Sequence, residues 1–137
     1  MNIVRIAAVA VAAALPTVAA GAAAPTVLLN LKGGYANQTL VACRITHHYT
    51  FFHVGRPLRM DGSVQPPPAK AWKVKVKVKR CVAGRFRRVW SGHTTGKADG
   101  TFKIAYTPRR RGSYFARAYY YGVRPTARSD KQYFRVR

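Results

Sequence analysis

The sequence predicts an all-β domain, a sandwich or barrel of short antiparallel strands. Apolar residues fall at every second position in run after run, most plainly in WKVKVKVKRC at residues 72–81. The runs return roughly every 8–12 residues, with Gly, Pro, Asn or Asp between them. After the first 24 residues, no apolar stripe at the helical spacing i, i+3, i+4, i+7 outlasts one turn.

Residues 1–24 stand apart from that pattern. Arg5 supplies a positive start, Ile6–Leu15 is an unbroken apolar run, and small residues follow with Ala-x-Ala patterns ending at Ala22 or Ala24. That layout is a secretory signal peptide. The competing reading, a membrane anchor, suits the segment poorly, because it is alanine-rich and broken by Pro16, Thr17 and Gly21. The mature chain is therefore expected outside the cell or at its envelope, with no transmembrane segment.

The strands follow in order. TVLLNLK (26–32), a turn at Gly33–Gly34 and NQTLVACRI (37–45) predict an N-terminal hairpin over 25–47. Further runs are YTFFHV (49–54), PLRMDGSV (57–64), AWKVKVKVKRC (71–81), RFRRVWSG (85–92), GTFKIAYTP (100–108), SYFARAYYYG (113–122) and KQYFRVR (131–137). They predict a sandwich of about seven strands over 48–137.

In the lysine run, a strand with one wet face must alternate. Trp72, Val74, Val76 and Val78 are expected inward, and Lys73, Lys75, Lys77 and Lys79 outward. The phase fails over Lys79–Cys81, which predicts a bulge or the strand's end. A solvated face that keeps a β-prone segment from pairing with other chains explains these lysines without any ligand. A binding stripe is compatible with the same geometry.

Cys43 and Cys81 have no CxxC partner and no Cys/His cluster at zinc spacing. In an exported chain they are expected to form one disulfide; two buried free thiols are the other reading. Net charge is +22, with Asp61, Asp99 and Asp130 as the whole acidic complement and no glutamate. Such an imbalance attracts polyanions and does not select a fold.

The segment ADGTFKIAYTPRRRGSYFARAYYYG resembles the late strands of bacterial immunoglobulin-like and fibronectin type III-like domains of secreted and surface proteins. Gly100 and Phe102 match a turn glycine before an aromatic. Tyr106 and Pro108 match a Tyr-x-Pro strand end, and Gly112 and Tyr114 open the next strand, which runs through Ala116 and Ala118 to Gly122. VGRPLRMDGSV resembles the opening strands, with Gly55 as the turn and Leu58, Met60 and Val64 inward. The resemblance covers residues 48–137 and implies an immunoglobulin-like antiparallel sandwich. It also implies that the Tyr114 hydroxyl bonds back to backbone as a corner tyrosine. Residues 26–47 lie outside it, so a Cys43–Cys81 bond would pin the extra hairpin to the lysine strand.

Chemistry is sparse. His47 and His53 share one strand face while His48 points away, a poor arrangement for one metal ion. Asp61 and Asp99 precede glycines and read, with Asp130, as turn residues. No catalytic set, metal or cofactor is expected. The triplet Asn37–Thr39 matches a glycosylation acceptor, a weak signal alone. Basic residues gather in three places: Lys73, Lys75, Lys77, Lys79 and Arg80; Arg85, Arg87 and Arg88; and Arg109, Arg110 and Arg111. The first two groups sit on strands expected to be neighbours. Tyr119, Tyr121, Arg117 and Arg124 take the outward phase of the late strand, where aromatics among arginines stack on bases or sugar rings or cover the sheet. The expected partner is an anionic polymer: a wall polyanion, an acidic polysaccharide or nucleic acid. A small secreted hydrolase of phosphodiesters and a structural module of a larger extracellular assembly are the alternatives.

Overall fold

The computed structural model describes residues 24–137; the signal peptide read over residues 1–24 lies outside them but for Ala24. Ten strands form: β1 (Thr26–Lys32), β2 (Ala36–Ala42), β3 (Ile45–Phe52), β4 (Leu58–Gln65), β5 (Lys73–Val82), β6 (Arg85–Thr95), β7 (Thr101–Tyr106), β8 (Gly112–Tyr120), β9 (Ala127–Arg128) and β10 (Gln132–Val136). They make a β-sandwich. One sheet has three strands in the order β1-β4-β7. The other has seven, in the order β2-β3-β10-β8-β5-β6, with β9 added beside β8. Every pairing is antiparallel except β3 with β10, which is parallel.

The core lies between the sheets, where the period-two pattern puts it. Val27 and Leu29, Leu58, Met60 and Val64, and Phe102 line the small sheet. Trp72, Val74, Val76 and Val78 face them from the large sheet, with Tyr114, Ala116, Ala118 and Phe134 beside them. Gly62 is needed for this approach, because a Cβ there would stand 2.2 Å from the Phe102 ring. The Tyr114 hydroxyl donates to the Arg110 carbonyl four residues upstream, which is the corner bond that the resemblance implied.

Two expectations need correction. The strands read as an N-terminal hairpin do not pair: β1 joins β4 in the small sheet, and β2 joins β3 in the large one. The chain crosses between sheets at Gly33–Gly34, so that turn signal marks a change of layer. The hairpin lies one turn later, between β2 and β3, where Cys43 and Arg44 hold φ of 53° and 64°. Two successive positive φ values are what a tight two-residue hairpin requires. The expected boundary at residue 47 falls inside β3, and residues 26–47 build into both sheets.

The Cys43–Cys81 bond forms, with the two Cα atoms 5.7 Å apart. It ties the β2–β3 turn to the end of β5. Around it a second apolar cluster fills the outer side of the large sheet, with Ala42, Tyr49 and Phe51 buried and Tyr133 packed against them. Phe86 and Phe115 stack edge to face beside it at 4.9 Å.

Candidate functional site

The lysine ladder is built by β5. Residues i and i+2 of a strand lie about 7 Å apart on one face. Val74, Val76 and Val78 are fully buried, which fixes Lys73, Lys75, Lys77 and Lys79 on the opposite, outer face. Across the ladder to β8, Lys75, Lys77 and Lys79 stand opposite Tyr119, Arg117 and Phe115. Tyr119 is in turn opposite Arg128 of β9. On the other flank, Lys75, Lys77 and Lys79 face His93, Ser91 and Arg88 of β6. These paired positions hold seven cations (Lys73, Lys75, Lys77, Lys79, Arg88, Arg117, Arg128) and no acid.

The aromatics are part of this face. The Lys77 ammonium stands 4.6 Å from the Tyr119 ring centre, and those of Lys131 and Lys79 stand 4.9 and 5.7 Å from Phe115. Such packing holds the lysine stems against the sheet while the charges stay in water. Arg117 is held by Nε donating to the Ser129 carbonyl at 2.7 Å. Tyr119 and Tyr121 stack with ring centres 6.2 Å apart. Sequence periodicity placed Arg117 and Tyr119 outward; Arg128 escaped it because β9 is only two residues long.

Three expected members of the face are elsewhere. The β5–β6 register shifts between Val78 and Lys79: Val78 pairs with Trp90, but Lys79 pairs with Arg88. Val89 is therefore an extra residue on β6, a bulge, and one extra residue reverses the facing of everything before it. Arg88 turns outward beside Lys79. Arg87 and Arg85 turn to the inner side, opposite Arg80 and Val82. Arg80 itself continues the inward phase of Val74, Val76 and Val78. Phe86 moves outward by the same reversal, into the cluster with Phe115 and Tyr133.

Arg109, Arg110 and Arg111 are exposed in the loop between β7 and β8. Arg109 and Arg110 line a cleft of about 480 Å³ together with Arg80, Trp90, Tyr106 and Tyr114, at the open end of the sandwich. Burial pushes the Tyr114 and Tyr106 phenols above their ordinary pKa, against the pull of the Arg80 guanidinium.

The histidines are dispersed. His47 packs on Tyr133 at 4.2 Å, His53 lies beyond the end of β3 and stacks on Tyr35 at 4.3 Å, and His93 is on the lysine face. His47 and His48 line a shallow groove with Arg117, Asp130 and Lys131. Among the described residues, no three of His, Cys, Asp and Glu gather as a metal site, and no helix is long and apolar enough to cross a membrane. The disulfide suits an oxidising, extracytoplasmic environment.

No known family model matches the chain, and no curated protein matches it in sequence. Among solved structures it is similar to the soluble domain of PmoD from Methylocystis sp. ATCC 49242 (Rockwell), at 10% identity over 81% of this chain and 90% of that one, TM-score 0.47. It is also similar to the CARDB domain of the PF1109 protein from Pyrococcus furiosus, in complex with di-metal ions, at 13% identity over 82% and 89%, TM-score 0.40. At such distances neither bears on what this chain does, and the sandwich rests on its own strand pairing.

Proposed function

We propose that this chain is a secreted, non-enzymatic, immunoglobulin-like domain that associates by charge with an anionic polymer at or outside the cell envelope. One observation carries the reading: seven cations on paired positions of β6, β5, β8 and β9, interleaved with Tyr119 and Phe115 and free of any acid. The lysines repeat at about 7 Å along a rigid strand, so a flexible polyanion meets a preformed row of charge. The partly exposed Tyr119 ring and the exposed Tyr121 stacked on it offer a surface for sugars or bases, while Phe115 lies buried beneath Lys79 and Lys131. Wall polyanions, acidic polysaccharides and nucleic acids share the chemistry this face recognises.

The test is the salt dependence of heparin and DNA binding. Changing Lys73, Lys75, Lys77 and Lys79 to Gln should keep the fold and flatten the slope of log K against log salt. The expected change is about 0.7–0.9 for each polymer charge that a lysine no longer neutralises. A control of equal charge loss uses Lys32, Arg56, Arg59 and Lys103, all exposed and away from this face. It should change the slope far less. Equal slopes for the two variants would mean that only net charge matters. Elution of the wild type at low salt would end the polyanion reading altogether.

A further inference from the structure

On the inner side of the large sheet, the apolar stripe of β5 ends in a charge. Val74, Val76 and Val78 are buried, and the next residue of the same phase is Arg80. Another valine there would extend the core at no electrostatic cost, whereas a guanidinium at the edge of an apolar layer must be desolvated. Arg80 stands opposite Tyr114 of β8, and its aliphatic stem runs past Gly112, where a Cβ would lie 3.6 Å from its Cδ. Its Nε is buried and has no hydrogen-bond partner in the protein. That nitrogen is closed to any ligand, so what Arg80 offers the cleft it lines is the terminal, forked end of its guanidinium.

The lining of the cleft says what ligand suits it. Arg80, Arg109 and Arg110 line one cleft of about 480 Å³, and no carboxylate lines it with them. Three guanidiniums without a counter-charge suit a dianion, and the planar guanidinium fork matches phosphate oxygens in pairs. Trp90 and Tyr106 form the apolar wall, with ring centres 5.0 Å apart. Gly92 fixes the Trp90 ring, since a Cβ there would stand 2.5 Å from it. The volume lies within the range of small-molecule sites, which are mostly apolar with a few convergent polar groups.

We propose that this cleft binds the phosphate monoester of a ring compound. The phosphate sits on Arg80 with Arg109 and Arg110, and the ring lies against Trp90 and Tyr106. Nucleoside monophosphates and sugar phosphates share this chemistry. The site is independent of the outer lysine face, since the two lie on opposite sides of β5.

Calorimetric titration of the exported chain with AMP, glucose 1-phosphate and inorganic phosphate, in moderate salt, tests it. At least one ester should bind one to one and more tightly than inorganic phosphate; the ester that does so identifies the source. Arg80→Gln should weaken it about 10–100-fold, the usual loss for a hydrogen bond to a charged group. Arg109→Ser with Arg110→Ser, both in an exposed loop, should weaken it without touching the core, which keeps the test valid if Arg80→Gln folds poorly. Trp90→Ala should abolish the preference for the ester over inorganic phosphate. The variant with Gln at Lys73, Lys75, Lys77 and Lys79 should bind the ester as wild type does, even where its heparin binding is lost. The proposal is overturned if no ester binds, if inorganic phosphate binds as tightly as both esters, or if the Arg109/Arg110 variant binds unchanged.

Discussion

Val76 and Lys75 are neighbours in the chain with opposite fates. Val76 is fully buried, so Val76→Asp would place an unpaired charge in the core at a cost of several kcal/mol, enough to unfold the domain. Lys75→Ser alters an outward side chain and should shift stability by no more than about 0.5 kcal/mol. Chemical denaturation separates the two, and a reversed order would mean that the phase of β5 is wrong. Tyr114 gives a second test at this scale. Its hydroxyl donates to the Arg110 carbonyl, so Tyr114→Phe should cost about 1 kcal/mol. Tyr49, Tyr106 and Tyr114 all have phenol pKa values raised above 10.0, burial being the largest cause in each. Above that value the unfolded chain loses these protons first. Their contribution to stability is therefore complete below about pH 10 and falls as pH rises through the folded-state values. An alkaline melting series should show this decline, smaller in Tyr114→Phe. Single residues were legible where they follow an unbroken alternation, as Val76 and Lys75 do. Arg80 obeys the same alternation, yet charge alone had grouped it with its outward neighbours. The sequence does not say that a charged residue at an inward position faces a cleft and not water.

At the scale of elements, the β6 bulge decides which arginines join the lysines. Alternation counted back from the inward Trp90 would send Arg85 and Arg87 outward and Arg88 inward; Val89 reverses all three. An extra residue has no fixed signature of its own, because it is defined by the partner strand's register. That is why the sequence located the irregularity near Lys79 but put it on the wrong strand: β5 keeps its alternation through Arg80 to Val82, and the extra residue is on β6. Deletion supplies the test. Without Val89, Trp90 still pairs with Val78 and Arg88 with Lys79, so β6 becomes regular with every remaining side chain on its present face. Deleting Ser91 instead would move Trp90 outward and draw Val89 inward. Thermal melts should show the Val89 deletion to be much the milder, and equal losses would mean that the register shift lies elsewhere. The N-terminal strands failed as a hairpin for a related reason. Gly33–Gly34 signals a turn, but β1 finds its partner in β4, more than a strand's length away in sequence, and local turn chemistry carries no record of that choice.

For the whole molecule, the sandwich was legible because short alternating runs with turn chemistry have few other ways to bury their apolar faces. The assignment of strands to sheets was not, since pairings such as β3 with β10 join distant parts of the chain. The charge is also a property of the whole. A net +22 with three carboxylates leaves the folded state repelling itself, and folding brings the cations of β5, β6 and β8 closer than they lie in an open chain. Salt screens that repulsion over about 30 Å at 0.01 M and about 3 Å at 1 M. Stability should therefore rise with sodium chloride, opposite to a fold held by surface ion pairs. A gain of about 1 kcal/mol would appear as roughly 4–8 °C in Tm for a domain of this size. Because the repulsion is densest along the ladder, the variant with Gln at Lys73, Lys75, Lys77 and Lys79 should melt higher than wild type at low salt and gain less as salt is added. The control with neutral residues at Lys32, Arg56, Arg59 and Lys103 removes the same charge from sparser ground and should gain less at low salt. A wild-type Tm that falls with added salt would mean that attractive pairs outweigh repulsion. A ladder variant no more stable than the control would mean that the lysines lie too far apart to oppose folding as a row.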